Sequence, residues 1–101
     1  MTIFTKIINK EIPAKFEYED DKCIVIHDQN PKSAVHLLII PKKPIPTIMD
    51  VADEDQELMG HLVLIARDVA KKLSLDGYKL QYNVGSKGGQ EVFHIHMHLL
   101  G

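Results

Sequence analysis

The chain has 101 residues, 45% of them hydrophobic and 26% charged, with a net charge of −2. These figures suit one soluble globular domain over residues 1–101 and exclude disordered, collagen-like and low-complexity classes. No apolar run nears the roughly 18–20 residues of a membrane span, the opening lacks a signal-peptide core of about 7–15 apolar residues, and the weak acidity gives no pull toward nucleic acid or anionic lipid. In chain order, Thr2 can cap a short helix, because Ile3, Phe4, Ile7 and Ile8 recur at helical spacing. Pro13 ends that helix or follows its end. Phe16 to Glu19 reads as a short strand, and Asp20-Asp21 as a turn. Cys23-Ile24-Val25-Ile26-His27 is a nearly continuous apolar strand, closed by Asp28-Gln29-Asn30-Pro31. Cys23 is the only cysteine. It excludes a disulfide framework and a multi-thiolate zinc site, and it favours a reducing, cytoplasmic compartment. His36 to Ile40 is a second buried strand, stopped by Pro41, and Pro44 and Pro46 forbid regular structure just after it.

The period then changes. Leu58, Leu62, Ile65, Val69 and Leu73 fall at steps of three and four beside Met59, Ala66 and Ala70. His61, Leu64, Arg67, Asp68, Lys71 and Lys72 fall largely on the other side. This predicts an amphipathic helix of about five turns. Asp53 and Gln56 resemble a capping box, and Asp76-Gly77 supplies the stop. Tyr78 to Val84 reads as a strand, Gly85 to Gly89 as a flexible turn, and Val92 to Leu100 as the last strand. Strands joined by short turns, with one long helix between the third and fourth, argue α+β with a largely antiparallel sheet. Several strands look buried on both faces, so a second copy of the chain is a natural partner.

Six histidines are present, and three fall within five residues, at His94, His96 and His98. On a strand, residues two apart share a face, roughly 6.5–7 Å from one to the next. The three imidazoles would then face a polar cleft, with Ile95, Met97 and Leu99 in the core. A neutral imidazole is both a nucleophile and a metal ligand near neutral pH. As a nucleophile it attacks phosphorus without a separate base, and its neighbours can donate hydrogen bonds to phosphoryl oxygens. Gly88 and Gly89 just upstream would let backbone approach a phosphate, their N–H groups forming an anion nest. A metal site is the rival reading, with His36 from a neighbouring strand completing it. His36 can equally hold a triad member in its required tautomer.

The spacing His94-Ile95-His96-Met97-His98-Leu99-Leu100 resembles the signature of the histidine triad superfamily. Ile3-Phe4, Ile7-Ile8, Glu11-Ile12-Pro13-Ala14-Lys15, Glu19-Asp20-Asp21, His27-Asp28, His36 to Lys43, Asn83, Gly88-Gly89-Gln90 and Leu99-Leu100-Gly101 extend the similarity to its nucleotide-binding protein branch. The resemblance implies a five-stranded antiparallel sheet with two helices, joined across a homodimer. It implies hydrolysis of purine nucleoside phosphoramidates to an AMP-type nucleotide and an amine, with no cofactor. His96 would be the nucleophile, His98 would contact the phosphate and leaving-group side, His94 would orient the nucleophile, and His36 would support the triad. Asn83, Gln90 and Val92 map to phosphate-side positions. Ile3, Phe4, Ile7, Ile26, Asp28 and Leu38 map to the base and ribose pocket, which His27 adjoins, and Asp28 accepts ribose hydroxyls.

Two residues depart from the family pattern. Glu91 stands where a serine touches phosphate and leaving group, so it either favours cationic leaving groups or turns outward. Gln29 replaces a pocket aliphatic. Members commonly carry a tail beyond the position of Gly101, which bears on leaving-group selectivity. The alternatives are a dimeric purine-nucleotide or metal-binding interaction module, and a dinucleoside polyphosphate hydrolase. A nucleotidylyltransferase is disfavoured by a histidine at His98.

Overall fold

A computed structural model describes residues 1–101. Helix α1 spans Ile3–Ile8, capped by the Thr2 hydroxyl, which accepts from the Thr5 N–H. It ends at Lys10, whose φ of 63° turns the chain back so that the Lys10 and Glu11 N–H groups bond to the Ile7 and Lys6 carbonyls. That is a Schellman closure on a non-glycine residue, upstream of Pro13. Strands β1 (Phe16–Glu19), β2 (Cys23–His27), β3 (His36–Pro41), β4 (Lys79–Gln81) and β5 (Met97–Leu100) form one antiparallel sheet in the order β1-β2-β3-β5-β4.

Helix α2 covers Gln56–Lys72 and is preceded by a 3₁₀ turn over Asp53–Asp55. The expected Asp53/Gln56 capping box does not form. Asp55 makes the return contact instead, accepting from the Ala52 N–H and from Lys43. The stop is not at Gly77 either. Ser74 adopts φ 56°, and the Ser74 and Leu75 N–H groups close on the Lys71 and Ala70 carbonyls. The polar side of α2 is also less solvated than its pattern predicts. His61 is half-buried and donates to Asp20 at 2.7 Å. No helix is long and apolar enough to cross a membrane.

The two faces of the sheet carry separate cores. Cys23 and Val25 of β2, Leu37 and Ile39 of β3, and Met97 and Leu99 of β5 pack against Leu62, Ile65, Ala66, Val69 and Ala70 of α2. The other face sets Ile24, Ile26, Leu38 and Ile40 against Phe4 and Ile7 of α1. β2 and β3 are thus buried on both faces, which is why their sequences run apolar without alternation. α1 is only six residues long, so its face of the sheet stays open beyond Phe4 and Ile7. That opening is where the histidines lie.

The last two strands are shorter than their sequence patterns. β4 covers 79–81 rather than 78–84, and β5 starts at Met97 rather than Val92. The segment before β5 is held by the proline-rich stretch after β3. The Ile95 N–H bonds to the Ile45 carbonyl at 2.8 Å, the Gln90 side-chain amide to the Pro46 carbonyl at 2.7 Å, and His94 Nε2 to the Pro41 carbonyl at 2.7 Å. The prolines keep residues 42–46 from pairing as a strand, and the carbonyls of Pro41, Ile45 and Pro46 dock residues 90–95 instead.

Candidate active site

His94 and His96 precede the ladder, so strand alternation does not govern them. The three rings do not share one open face. His94 is 1% exposed and its ring borders neither cavity of the cleft. Its Nε2–H donates to Pro41, and its buried Nδ1 has no partner. Its carbonyl, however, accepts from His96 Nδ1 at 2.8 Å. A carbonyl can only accept, so His96 carries its proton on Nδ1 and presents a lone pair on Nε2. His94 therefore orients His96 through its backbone rather than its ring.

The second pair is fixed the same way. The Lys32 N–H donates to His36 Nδ1 at 3.0 Å, which places the His36 proton on Nε2. That N–H faces His98 Nδ1 at 2.9 Å. His98 must then hold its own proton on Nε2 and can offer it as a donor. The Asp28 carboxylate stands 3.5 Å from His36 Nε2 and supports this arrangement. The His96 and His98 ring centroids are 5.0 Å apart, and Phe4 lies edge-on to His96 at 4.9 Å. A lone-pair nitrogen and an N–H donor thus stand side by side.

Burial keeps these rings neutral. It lowers the pKa of His94 and of His96, against the opposing pull of their carbonyl partners. His98 is pushed down to about 4, first by burial and then by the neighbouring His96 and His36. A metal reading must break this network. Asp28, His36 and His98 lie close enough to share a cation, but a cation would displace the His36–His98 hydrogen bond that occupies both nitrogens. Asp20, Cys23 and His61 form a second such cluster. There Asp20 already accepts from the Lys22 and Cys23 N–H groups, Tyr18 and His61, while burial pushes the Cys23 thiol up to about 12.

Two adjoining cavities make up the cleft. The first, of about 490 Å³, is lined by Ile3, Phe4, Ile7, Ala14, Lys15, Ile26, His27, Asp28, Gln29, Asn30, Leu38 and Val92. The second, of about 530 Å³, holds His36, His96 and His98 and shares Phe4, Asp28, Asn30, Leu38 and Val92 with the first. Asn83, Gly89 and Glu91 line its far wall. The sequence-derived base-pocket residues are thus brought together in one apolar cavity, with Asp28 at the junction.

Four candidate residues are already engaged within the protein. The His27 ring is committed to Glu17 at 3.0 Å, and Glu17 also pairs with Lys72 of α2. The Gln90 side chain is buried and fully used within its loop, accepting from the Gly85 N–H and donating to the Pro46 and Val92 carbonyls. The Gly88 and Gly89 N–H groups bond to the Gly85 and Ser86 carbonyls, so the expected nest is closed. Gly89 is still required there. Its φ of 86° is a conformation that residues with a side chain rarely adopt. Between Gln90 and Met97, the backbone N–H groups of Glu91, Val92, Phe93, His94 and His96 have no backbone partner.

Lys32, Lys79 and Gln81 also line the histidine cavity and were not singled out from the sequence. Alternation along residues 78–84 does place Lys79, Gln81 and Asn83 on one face. Only the strand order puts that face beside the triad, with Gln81 opposite His98.

Comparison with known proteins agrees with this architecture. A family model for the HIT domain matches residues 9–101. An uncharacterized HIT-like protein of Synechocystis sp. is 50% identical over 101 residues, covering 99% of this chain and 89% of that one. A HIT family hydrolase structure from Legionella pneumophila superposes with a TM-score of 0.96 at 48% identity, covering 100% of this chain and 92% of the other. A histidine triad nucleotide-binding protein from Candida albicans gives 0.89 at 31% identity, over 98% and 73% of the two chains. With a sheet, a cleft and a histidine arrangement of this kind, the chain belongs to the HIT, or histidine triad, family.

Proposed function

We propose that the protein is a purine nucleoside phosphoramidase that works through a covalent nucleotidyl-histidine on His96. The observation that carries this reading is the fixed tautomer of His96: its Nδ1–H is held by the His94 carbonyl, and the ring is kept neutral by burial. A neutral imidazole with a free Nε2 attacks phosphorus without a base.

The proton inventory is consistent. Nε2 bonds to phosphorus, and the P–N bond of the substrate breaks. The departing nitrogen accepts a hydrogen bond from the His98 Nε2–H, takes a proton from solvent and leaves as an amine. This gives a cationic phosphoryl-imidazolium at His96 beside a neutral His98 ring, 5.0 Å apart and held by the His36 N–H. Water then attacks phosphorus, loses a proton to solvent, and releases the nucleotide as the P–N bond to His96 breaks. The apolar cavity accommodates a base, and Asp28 at its junction with the histidines suits ribose hydroxyls as a charged acceptor. One Asp28 oxygen already accepts from the Asn30 N–H at 2.7 Å, which fixes the carboxylate in place.

We further propose that the working form is a homodimer. β4 leaves one edge unpaired and carries an exposed Leu80, and Val63 and Leu64 stand exposed on α2. A monomer mass in sedimentation at micromolar concentration would refute this.

The test of function is hydrolysis of adenosine 5′-phosphoramidate in the presence of chelator, wild type beside His96→Ala. AMP from the wild type alone supports the reading. No AMP from either protein, with nucleotide still bound, points to the interaction module. Equal AMP from both removes His96 as the nucleophile.

A further inference from the structure

The reaction proposed above dictates where the departing amine must go. Attack in line from His96 Nε2 sends the leaving nitrogen to the side opposite that ring. The apolar cavity beside α1 is reserved for the nucleoside. The part of the histidine cavity that it does not share runs along β4 and the glycine loop, between Lys79 and Glu91.

Two charged groups in that wall are unengaged, Glu91 and Lys79. Glu91 is exposed, accepts no hydrogen bond and has no cation within ion-pairing distance, although it lines the cavity of His96 and His98. The amides beside it are occupied with each other. Asn83 donates to the Gly88 carbonyl and accepts from Gln81. Lys79 does not neutralise Glu91. It makes no ion pair with Glu91 and sits opposite Leu100, at the start of β4. The cavity is therefore polarised, with a carboxylate at its glycine-loop end and an ammonium at the other. A bare carboxylate near an anionic phosphoryl group opposes substrate binding. A cation held beside that carboxylate reverses the sign.

We propose that Glu91 is a recognition group for a second, positively charged group on the leaving amine, so that the favoured substrates are phosphoramidates of diamines rather than of simple alkylamines. This rests on the phosphoramidase reading. Glu91 acts here on specificity, and no proton passes through it.

The experiment compares two isosteric substrates, adenosine 5′-phosphoramidates bearing an N-butyl and an N-(3-aminopropyl) group. The readout is the ratio of their kcat/KM values in the wild type, Glu91→Gln and Glu91→Lys. Taking ratios across the variants cancels the intrinsic difference between the two amines and any general damage to the enzyme. The cationic substrate is expected to gain roughly five- to fiftyfold in the wild type relative to Glu91→Gln, with most of the gain lost at 0.5 M salt. The ratio should invert in Glu91→Lys. AMP released from both substrates with one ratio in all three proteins overturns the inference and leaves the phosphoramidase reading intact. No AMP from either substrate with the wild type overturns both.

Discussion

Mild acid should destabilise this protein through His98. Its ring is held down to about 4 by burial and by its two histidine neighbours, against an ordinary value of 6.5. The native pKa lies below the unfolded one, so the unfolded chain takes up the proton first. The stabilisation is complete above about pH 6.5 and is lost as the pH falls toward 4. Carried through in full, that separation corresponds to about 3 kcal/mol. The ring is partly open to solvent, which screens the effect and leaves roughly 1–2 kcal/mol at pH 4.5. His94 and His96 are lowered in the same direction and add to the loss. Glu17, Glu19 and Asp20 titrate below their usual range because cations, His27 and His61, and backbone N–H groups outweigh their burial, so they remain charged across this window. Urea unfolding followed by circular dichroism at several pH values between 7 and 4.5 measures the effect. The wild type should lose about 2–4 kcal/mol over that range, and His98→Gln roughly 1–2 kcal/mol less. Identical pH slopes for the two proteins would refute the reasoning, whatever their absolute stabilities.

Two further outcomes can be checked directly. The sequence alone suggests that activity falls as soon as the pH drops below about 6.5. With the His96 pKa lowered by burial, the acid limb of kcat/KM should instead lie below that value, and a limb centred at or above it would contradict a buried, neutral nucleophile. Gln90→Leu strips partners from the Gly85 N–H and from the Pro46 and Val92 carbonyls. It should cost roughly 2–4 kcal/mol in thermal or urea unfolding, and a loss under about 0.5 kcal/mol would show that the loop holds without it.

The sequence was most informative where one physical rule acted alone. The apolar runs of β2 and β3, the α2 stripe and the capping Thr2 all follow from burial or local hydrogen bonding, and each is found where its pattern predicts. The base-pocket aliphatics came from family resemblance. Periodicity alone could not tell Ile7 or Leu38 from ordinary core, since each also packs in the α1-side cluster. Misreadings arose where tertiary contacts replaced a local rule. Lys10 and Ser74 close helices in a conformation usually given to glycine, so Gly77 was the wrong marker for the end of α2, while Pro13 follows the end of α1. Gln90 was mapped to the phosphate side by the family resemblance alone, and its side chain is held by three backbone partners, one as distant in sequence as Pro46. The triad itself was legible as chemistry but not as geometry. Alternation assumes a ladder, and the ladder begins only at Met97.

That late start has a consequence for any attempt to stabilise the fold. β5 is an interior strand with a neighbour on each side, so every carbonyl within its paired length is claimed by β3 or β4. The His94 carbonyl can hold the His96 ring because pairing has not yet begun there. Lengthening β5 by three residues, to His94, would add backbone bonds and draw that carbonyl into the sheet. The imidazole would then be free to exchange tautomers, including the one with a proton on the attacking nitrogen. In this protein a more regular sheet and a better nucleophile are competing uses of the same oxygen atom.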